Sequence, residues 1–449
     1  MDIRYPFILI LGKIIILFSR LFNIGNGGTW PGEIALRIDP QILNKFFQKL
    51  NKGVILIAGT NGKTTTSFLT KQILTENQLK VISNSSGANL MNGIVSAFIQ
   101  TFSFTKETSF DWGVFETDEN SLPAVISNIQ YPISNENKQL VIILLNLFRD
   151  QLDRYGEVDV IAEKWEKSIK NLDKNTVLIL NADDPQIAYL GNKTKARTKY
   201  FGLKDTKITK EKMEHATDSI YCLKCGKKLS YISIYYSHVG NWYCNNCKFK
   251  RPELDLCVYD YPLPGIYNRY NILASVLASR TLGLNEKKLK KSVSDFKPAF
   301  GRQEEIDIDG KKVKIFLSKN PASFNESLRT IISVGAKQIL FVLNDRIPDG
   351  CDVSWIWDVD FDQIPFYITP VVSGDRVYDM ALAIKYSRKI FKFPINAVSQ
   401  ADTPIITYDN LNTALKFCLG IDKSETLYIL ATYSAMLEVR KILKGRKIL

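Results

Sequence analysis

The chain has 449 residues, 45% of them hydrophobic and 23% charged, which excludes a disordered or low-complexity protein and leaves room for two or three domains with sizeable cores. A formal net charge of +13 favours acidic partners such as nucleotides, pyrophosphates, nucleic acid or an anionic membrane surface, without choosing among them. The two histidines, His215 and His238, sit in no ligand or triad pattern, so the chain is not expected to run His-based acid–base chemistry of its own.

The first element, Tyr5 to Phe22, is apolar but broken by Lys13 and Arg20. Its longest uncharged run, Tyr5 to Gly12, is far too short to span a bilayer, and no small-residue cleavage site follows. It reads as a helix packed on the protein or as an amphipathic helix on a membrane surface. A Gly/Pro-rich junction, GNGGTWPGEIALRIDP (25–40), closes this leader, taken as residues 1–40.

From 53 to about 205 the apolar runs VILIAG, KVISNS, WGVFETD, LVIILLNL and TVLILNAD alternate with helical stretches. Such a succession predicts a doubly wound, mostly parallel α/β sheet with ligands at the carboxyl ends of its strands. The first run enters Gly59, Thr60, Asn61, Gly62, Lys63, Thr64 and Thr65 and then a helical pattern. Gly59 and Gly62 permit a tight turn that turns amides toward phosphate oxygens, Lys63 can reach the terminal phosphates, and the Thr64 hydroxyl can ligate Mg²⁺. Glu116 ends the third run and is the residue expected to hold Mg²⁺ or its waters, whereas Asp118 and Glu119 read as an exposed acidic loop. Beyond the fourth run come Asn146, Arg149, Asp150, Gln151, Asp153 and, a helix later, Lys164.

A cysteine-bearing insert (about 215–255) then interrupts the alternation. Cys222-x2-Cys225 and Cys244-x2-Cys247, eighteen residues apart, have zinc-ribbon spacing, and four thiolates leave no open position, so the Zn²⁺ is expected to be structural. Cys257, Cys351 and Cys418 read as ordinary buried thiols, and this use of cysteine fits a reducing cytoplasm. The central domain (41–300) closes with Pro262 to Leu284, and a smaller α/β domain (301–449) follows, with KKVKIFLS, AKQILFVLN, IPFYITPVVSG, PIITYD and TLYILATY as its strands. Within it, FVLNDRIPDGCDVSWIWDVDFD (341–362) interleaves six aspartates with Trp355 and Trp357; an acidic cluster of this kind could bind a cation, and the tryptophans could belong to the core.

The order GTNGKTT, a strand-end Glu, RDQLDRYG, LNADDP, GIYNRYN and FGRQE resembles the Mur ligases, and the shortened G-x-x-G-K-T loop is shared with folylpolyglutamate synthetases. The resemblance implies that Asn268 and Asn271 contact adenine, with helix capping as the alternative role, and that Arg302 at the interdomain junction reaches the phosphates. Gln151 stands where amino-acid-adding members have a metal-binding His, Lys164 lies one residue off the place of a carbamoylated lysine, and SKNPASFNESL (318–328) replaces the segment that helps bind an incoming amino acid. With the zinc ribbon, DVSWIWD, SGDRVYDMALAIKY and LATYSAML, nearly the full chain resembles the MurT family, Mur-ligase-like subunits of lipid II isoglutaminyl synthase.

That resemblance implies an α/β fold with a Mur-ligase-type doubly wound central domain and ATP and Mg²⁺ as cofactors beside the structural Zn²⁺. It further implies ATP-dependent amidation of the D-glutamate α-carboxylate of lipid II through an acyl phosphate, in the cytoplasm near the membrane. Ammonia would come from a GatD-like glutaminase partner, whose Cys–His pair would be completed by Asp352 of this chain. Two other readings are an amino-acid-adding ligase, folylpolyglutamate synthetase included, and a P-loop protein binding nucleic acid. The altered 318–328 segment opposes the first, and the lack of a basic-aromatic strand surface beside the ribbon opposes the second.

Overall fold

A computed structural model describes residues 4–22, 28–84, 88–102, 109–133, 138–150, 157–205, 209–210, 213–215, 217–297, 302–390 and 404–445. Six parallel strands form the first sheet in the order β2-β3-β1-β4-β5-β6: β1 (Leu50–Ala58), β2 (Val81–Ser83), β3 (Phe110–Glu116), β4 (Gln139–Leu144), β5 (Val177–Asn181) and β6 (Arg197–Phe201). In β1 and β4 the side chains alternate between two apolar cores, as a strand buried on both faces requires. Val54, Leu56, Leu140 and Ile142 face the helices Arg4–Leu21, Ile42–Gln48, Met91–Thr101 and Val158–Ile169, whereas Ile55, Ile57, Val141 and Ile143 face Lys63–Glu76 and Ile266–Thr281. The leader helix thus packs on the sheet's first core through Ile8, Leu9 and Ile16, and Gly12 lets it approach Ile99. Phe98 stacks on Phe46 at 4.9 Å beneath it, and losing so buried a ring to alanine costs about 3–5 kcal/mol.

The second sheet runs β13-β12-β11-β14-β10-β9 and is parallel except for the antiparallel pair of β9 (Arg302–Ile308) with β10 (Lys311–Leu317). Its other strands are β11 (Gln338–Val342), β12 (Val371–Ser373), β13 (Ile406–Tyr408) and β14 (Leu427–Ala431). Between the sheets, β7 (Ser230–Tyr236) and β8 (Val239–Tyr243) form the hairpin of the cysteine-bearing insert.

Two strands of the six-stranded sheets escape the sequence pattern, β6 (RTKYF) and β9 (RQEEIDI). Both are edge strands with polar side chains, so the apolar run that marks a central strand is missing. The expected strand IPFYITPVVSG shrinks to Val371–Ser373, because Pro365 and Pro370 cannot donate to a ladder.

Candidate functional site

The phosphate loop sits between β1 and the helix Lys63–Glu76, where β1 meets the loop that follows β4. Gly59 has φ 142° and Gly62 φ 92°, the left-handed region where a side chain is strained. A Cβ on Gly62 would stand 2.1 Å from Asn271 Oδ1, so this glycine also makes room for the neighbouring helix. Asn146 fixes the loop from the side: its Oδ1 accepts from Asn61 N at 2.8 Å and its Nδ2 donates to Asn61 O at 3.0 Å. Thr60 Oγ1 accepts from Phe148 N at 3.0 Å.

Inside the loop every charge has a partner. Lys63 is buried; its Nζ donates to Gly59 O at 2.6 Å and to both Glu119 oxygens at 3.1 and 3.2 Å. Thr64 Oγ1 donates to Glu116 Oε2 at 2.8 Å, bringing together the hydroxyl and the carboxylate that were singled out for Mg²⁺. Asp118 and Glu119 correct the sequence reading, because both are buried rather than forming an exposed acidic loop. Burial raises the Glu119 carboxyl above its ordinary range, with Lys63 and Lys319 opposing the shift.

The opposite wall belongs to the second sheet. Ser318, Lys319 and Asn320 leave the end of β10, and Asn320 caps the helix Pro321–Ser333 in a capping box with Ser323. The amide of Asn320 exchanges hydrogen bonds with that of Asn61 at 3.2 and 3.4 Å. Lys319 is ion-paired to Asp150. Burial lowers the lysine's proton affinity, but Asp150 and Glu119 outweigh it and hold the pKa above the ordinary value. Asp150 Oδ1 is buried with no donor, a polar atom left for a ligand or ion. Lys319, Asn320 and Glu119 were not assigned to the site from sequence, and Asn146 was singled out there without a role; for Lys319 and Asn320 the Asn-Pro cap directly after a strand was the available signal.

Asn61, Gly62, Thr65, Asn268, Asn271 and Arg302 line one cleft between the two sheets, so most residues expected to bind ATP come together there. The capping alternative for the asparagines fails: the helix Ile266–Thr281 begins at Gly265 (φ 94°), and Asn268 Nδ2 donates back to Pro264 O at 2.6 Å. Lys164 donates to Asn120 Oδ1 at 2.8 Å, while Gln151 and Asp153 lie outside the described residues. Thr64 Oγ1 and the Glu116 carboxylate it touches are oxygen donors of the kind a magnesium nucleotide takes.

In the insert, Cys222 Sγ lies 3.4 Å from Cys247 Sγ and Cys225 Sγ 3.5 Å from Cys244 Sγ; all four sulfurs fall within 4.8 Å of one another. Gly226 N donates to Cys222 O and Lys248 N to Cys244 O, closing two knuckles that turn the thiols inward. Sulfurs about 2.3 Å from a central ion in a tetrahedron have this spacing, so the four cysteines fit Zn²⁺ with no position left open. Trp242 and Phe249 pack beneath them, and Trp242 Nε1 donates to Ala182 O at 3.1 Å, seating the ribbon on the end of β5. Of the remaining cysteines Cys418 is buried as expected, whereas Cys257 is half-buried and Cys351 is exposed. Each histidine meets a carboxylate that the sequence did not signal: His238 lies 3.4 Å from Asp184 and His215 2.6 Å from Asp360.

The aspartates of 341–362 do not form one cation site. Asp345 pairs with Arg376, Asp349 with Ser434, Asp358 with Arg149, and Asp360 with His215 and Asn325. Trp355 packs on Phe324 as core, whereas Trp357 is exposed. Asp352 stands apart on the surface and does not line the cleft. Its Oδ1 accepts from Ser354 N at 2.8 Å, and that amide holds its carboxyl below the ordinary value.

Residues 57–279 match the Mur ligase middle domain and residues 317–436 the MurT ligase C-terminal domain. The chain is 32% identical over 448 residues to the MurT subunit of lipid II isoglutaminyl synthase (glutamine-hydrolyzing) of Streptococcus pneumoniae, covering 95% of each chain. Identity to the same subunit of Staphylococcus aureus strain COL is 35%, over 81% of this chain and 84% of that one. The fold is similar to pseudomurein peptide ligase type C of Methanothermus fervidus (TM-score 0.63, 22% identity, 88% of this chain and 79% of that one). It is also similar to MurF of Acinetobacter baumannii (TM-score 0.61, 16% identity, 92% of this chain and 80% of that one). Built on the Mur ligase fold and matching these subunits over most of its length, the chain belongs to the MurT family.

Proposed function

We propose that this protein is the ATP-dependent ligase subunit of a glutamine-hydrolysing lipid II isoglutaminyl synthase, acting in peptidoglycan synthesis on the cytoplasmic side of the membrane. In this reading an oxygen of the D-glutamate α-carboxylate attacks the γ-phosphorus of ATP, and the bond to the departing ADP breaks. Ammonia then attacks the acyl carbon, phosphate leaves, and the nitrogen loses a proton to give D-isoglutamine.

The loop amides and Lys63 hold the phosphates, Arg302 reaches them from the junction, and Asn268 and Asn271 receive the adenine. Lys63 trades Glu119 for phosphate, and Glu119 keeps Lys319 as a neighbouring cation. Thr64 and Glu116 would hold magnesium, which when bound supplies neutralisation of the phosphate charge. Cys222, Cys225, Cys244 and Cys247 would hold a structural zinc.

The observation that carries the amidotransferase reading is Asp352, an ionised carboxylate on the surface of the second sheet's unit and outside the cleft. There it can stand behind a histidine of a glutaminase subunit, fixing its tautomer and stabilising the imidazolium. An amino-acid-adding ligase is disfavoured, because the 318–328 segment is committed to the phosphate loop through Asn320 and to Asp150 through Lys319. The test is to supply the chain with ATP, lipid II and either ammonium or a panel of amino acids. Conversion of the carboxyl to a primary amide, with ADP release, only with ammonium is expected; an adduct with an amino acid would overturn the reading.

A further inference from the structure

The helix Arg4–Leu21 is apolar on both sides. One face packs on the core through Ile8, Leu9, Gly12 and Ile16. The other carries Phe7, Ile10, Ile14, Leu17, Phe18 and Leu21, which are 44–67% exposed and recur at the spacing of one helical stripe. A stripe this continuous goes far beyond the scattered apolar residues of an ordinary surface. Phe22 stacks on Phe18 at 6.1 Å and extends it, and Trp30, 70% exposed, opens the next helix.

Charge decides among occupants. Arg4 is exposed and Lys13 half-buried, Lys49 Nζ lies 4.4 Å over the Tyr5 ring, and the sequence has no acidic residue between Asp2 and Glu33. A second copy seated on the stripe would set cations against cations, whereas an anionic lipid surface neutralises them. The helix is about 27 Å long and spends one face on the protein, so it would lie in the plane of the interface. Among the described residues no helix is long and apolar enough to cross a membrane.

The stripe also leads to the site. The helix beginning at Trp30 is bound to the helix Met91–Thr101 by Gly32 N to Ser96 Oγ (2.8 Å) and Asn92 Nδ2 to Glu33 Oε2 (3.2 Å). Asn89, just before that helix, accepts from Asp118 N at 2.8 Å, two residues after Glu116.

Resting on the lipid-linked substrate proposed above, we infer that the exposed face of Arg4–Leu21 is an in-plane docking surface for an anionic membrane, which presents the cleft to its substrate at the lipid headgroups. The test floats the full chain on vesicles of phosphatidylglycerol with phosphatidylcholine and on phosphatidylcholine alone, for the native protein and for Leu17→Glu/Phe18→Glu. The native chain should float with the anionic vesicles and less with the zwitterionic ones, and the double variant should lose at least about tenfold in binding. Amidation of a lipid-free stem peptide should be unchanged in the variant, while amidation of lipid II in vesicles falls. Equal flotation of the two proteins, no flotation of the native chain, or a shift from dimer to monomer by light scattering with vesicle binding intact would each overturn the inference. Flotation is read separately from turnover, so failure of amidation on both substrates would count against the proposed reaction alone.

Discussion

The cleft and the Asp352 loop hold their charges in opposite ways. Beside the cleft Lys63, Glu119 and Asp150 are buried and, with the half-buried Lys319, stand in paired contact before any phosphate arrives, because an unpaired charge there would cost several kcal/mol. Asp352 is exposed and held by its neighbour Ser354. On the function proposed above, the first region keeps stand-in partners until phosphates arrive, and the second leaves its carboxylate for a partner subunit to cover.

The largest expected effect breaks the first of these arrangements. Lys63→Ala should lower ATP-dependent amidation by about 10³-fold or more, measured as ADP release with ammonium as nitrogen source. It should also cost roughly 3–5 kcal/mol in denaturant melts, because Glu119 loses its direct partner. Adding Glu119→Gln should recover much of the stability and none of the activity. Asp352→Asn, by contrast, should leave stability within about 0.5 kcal/mol.

Next in size is the ribbon. Cys244→Ser should bring zinc content toward zero by metal analysis and lower the melting temperature, since the four sulfurs share a core with Trp242 and Phe249 that seats the insert on β5. The smallest effect is read at His215, whose pKa the hydrogen bond to Asp360 raises against partial burial. The pair therefore stabilises the contact fully below the ordinary histidine pKa, and that contribution is lost as pH rises through the elevated value. In Asp360→Asn the His215 titration, followed by NMR against only one other histidine, should move down.

Much of this contrast was legible in sequence. The G-T-N-G-K-T-T loop, the strand-end Glu116 and the four cysteines are local patterns, so their geometry follows from a few neighbouring residues. What sequence reading missed depends on folding distant segments together. Glu119 looked like surface acid until Lys63, 56 residues earlier, closed on it. Lys319 and Asn320 looked like a degraded motif until the second sheet carried them to Asp150 and to Asn61 of the phosphate loop. The polar edge strands β6 and β9 were invisible because the apolar run that marks a strand belongs to the sheet's interior.

The most direct test of the division between cleft and loop is Asp352→Asn in the chain reconstituted with the glutaminase subunit proposed above. Glutamine hydrolysis and amidation from added ammonium are measured in the same preparation. If Asp352 orients the partner's histidine, glutamine hydrolysis falls severely, by about 10²–10⁴-fold, while ammonium-driven amidation and complex formation persist. Loss of the ammonium-driven reaction with glutaminase activity intact would contradict the account and move Asp352 into the nucleotide site.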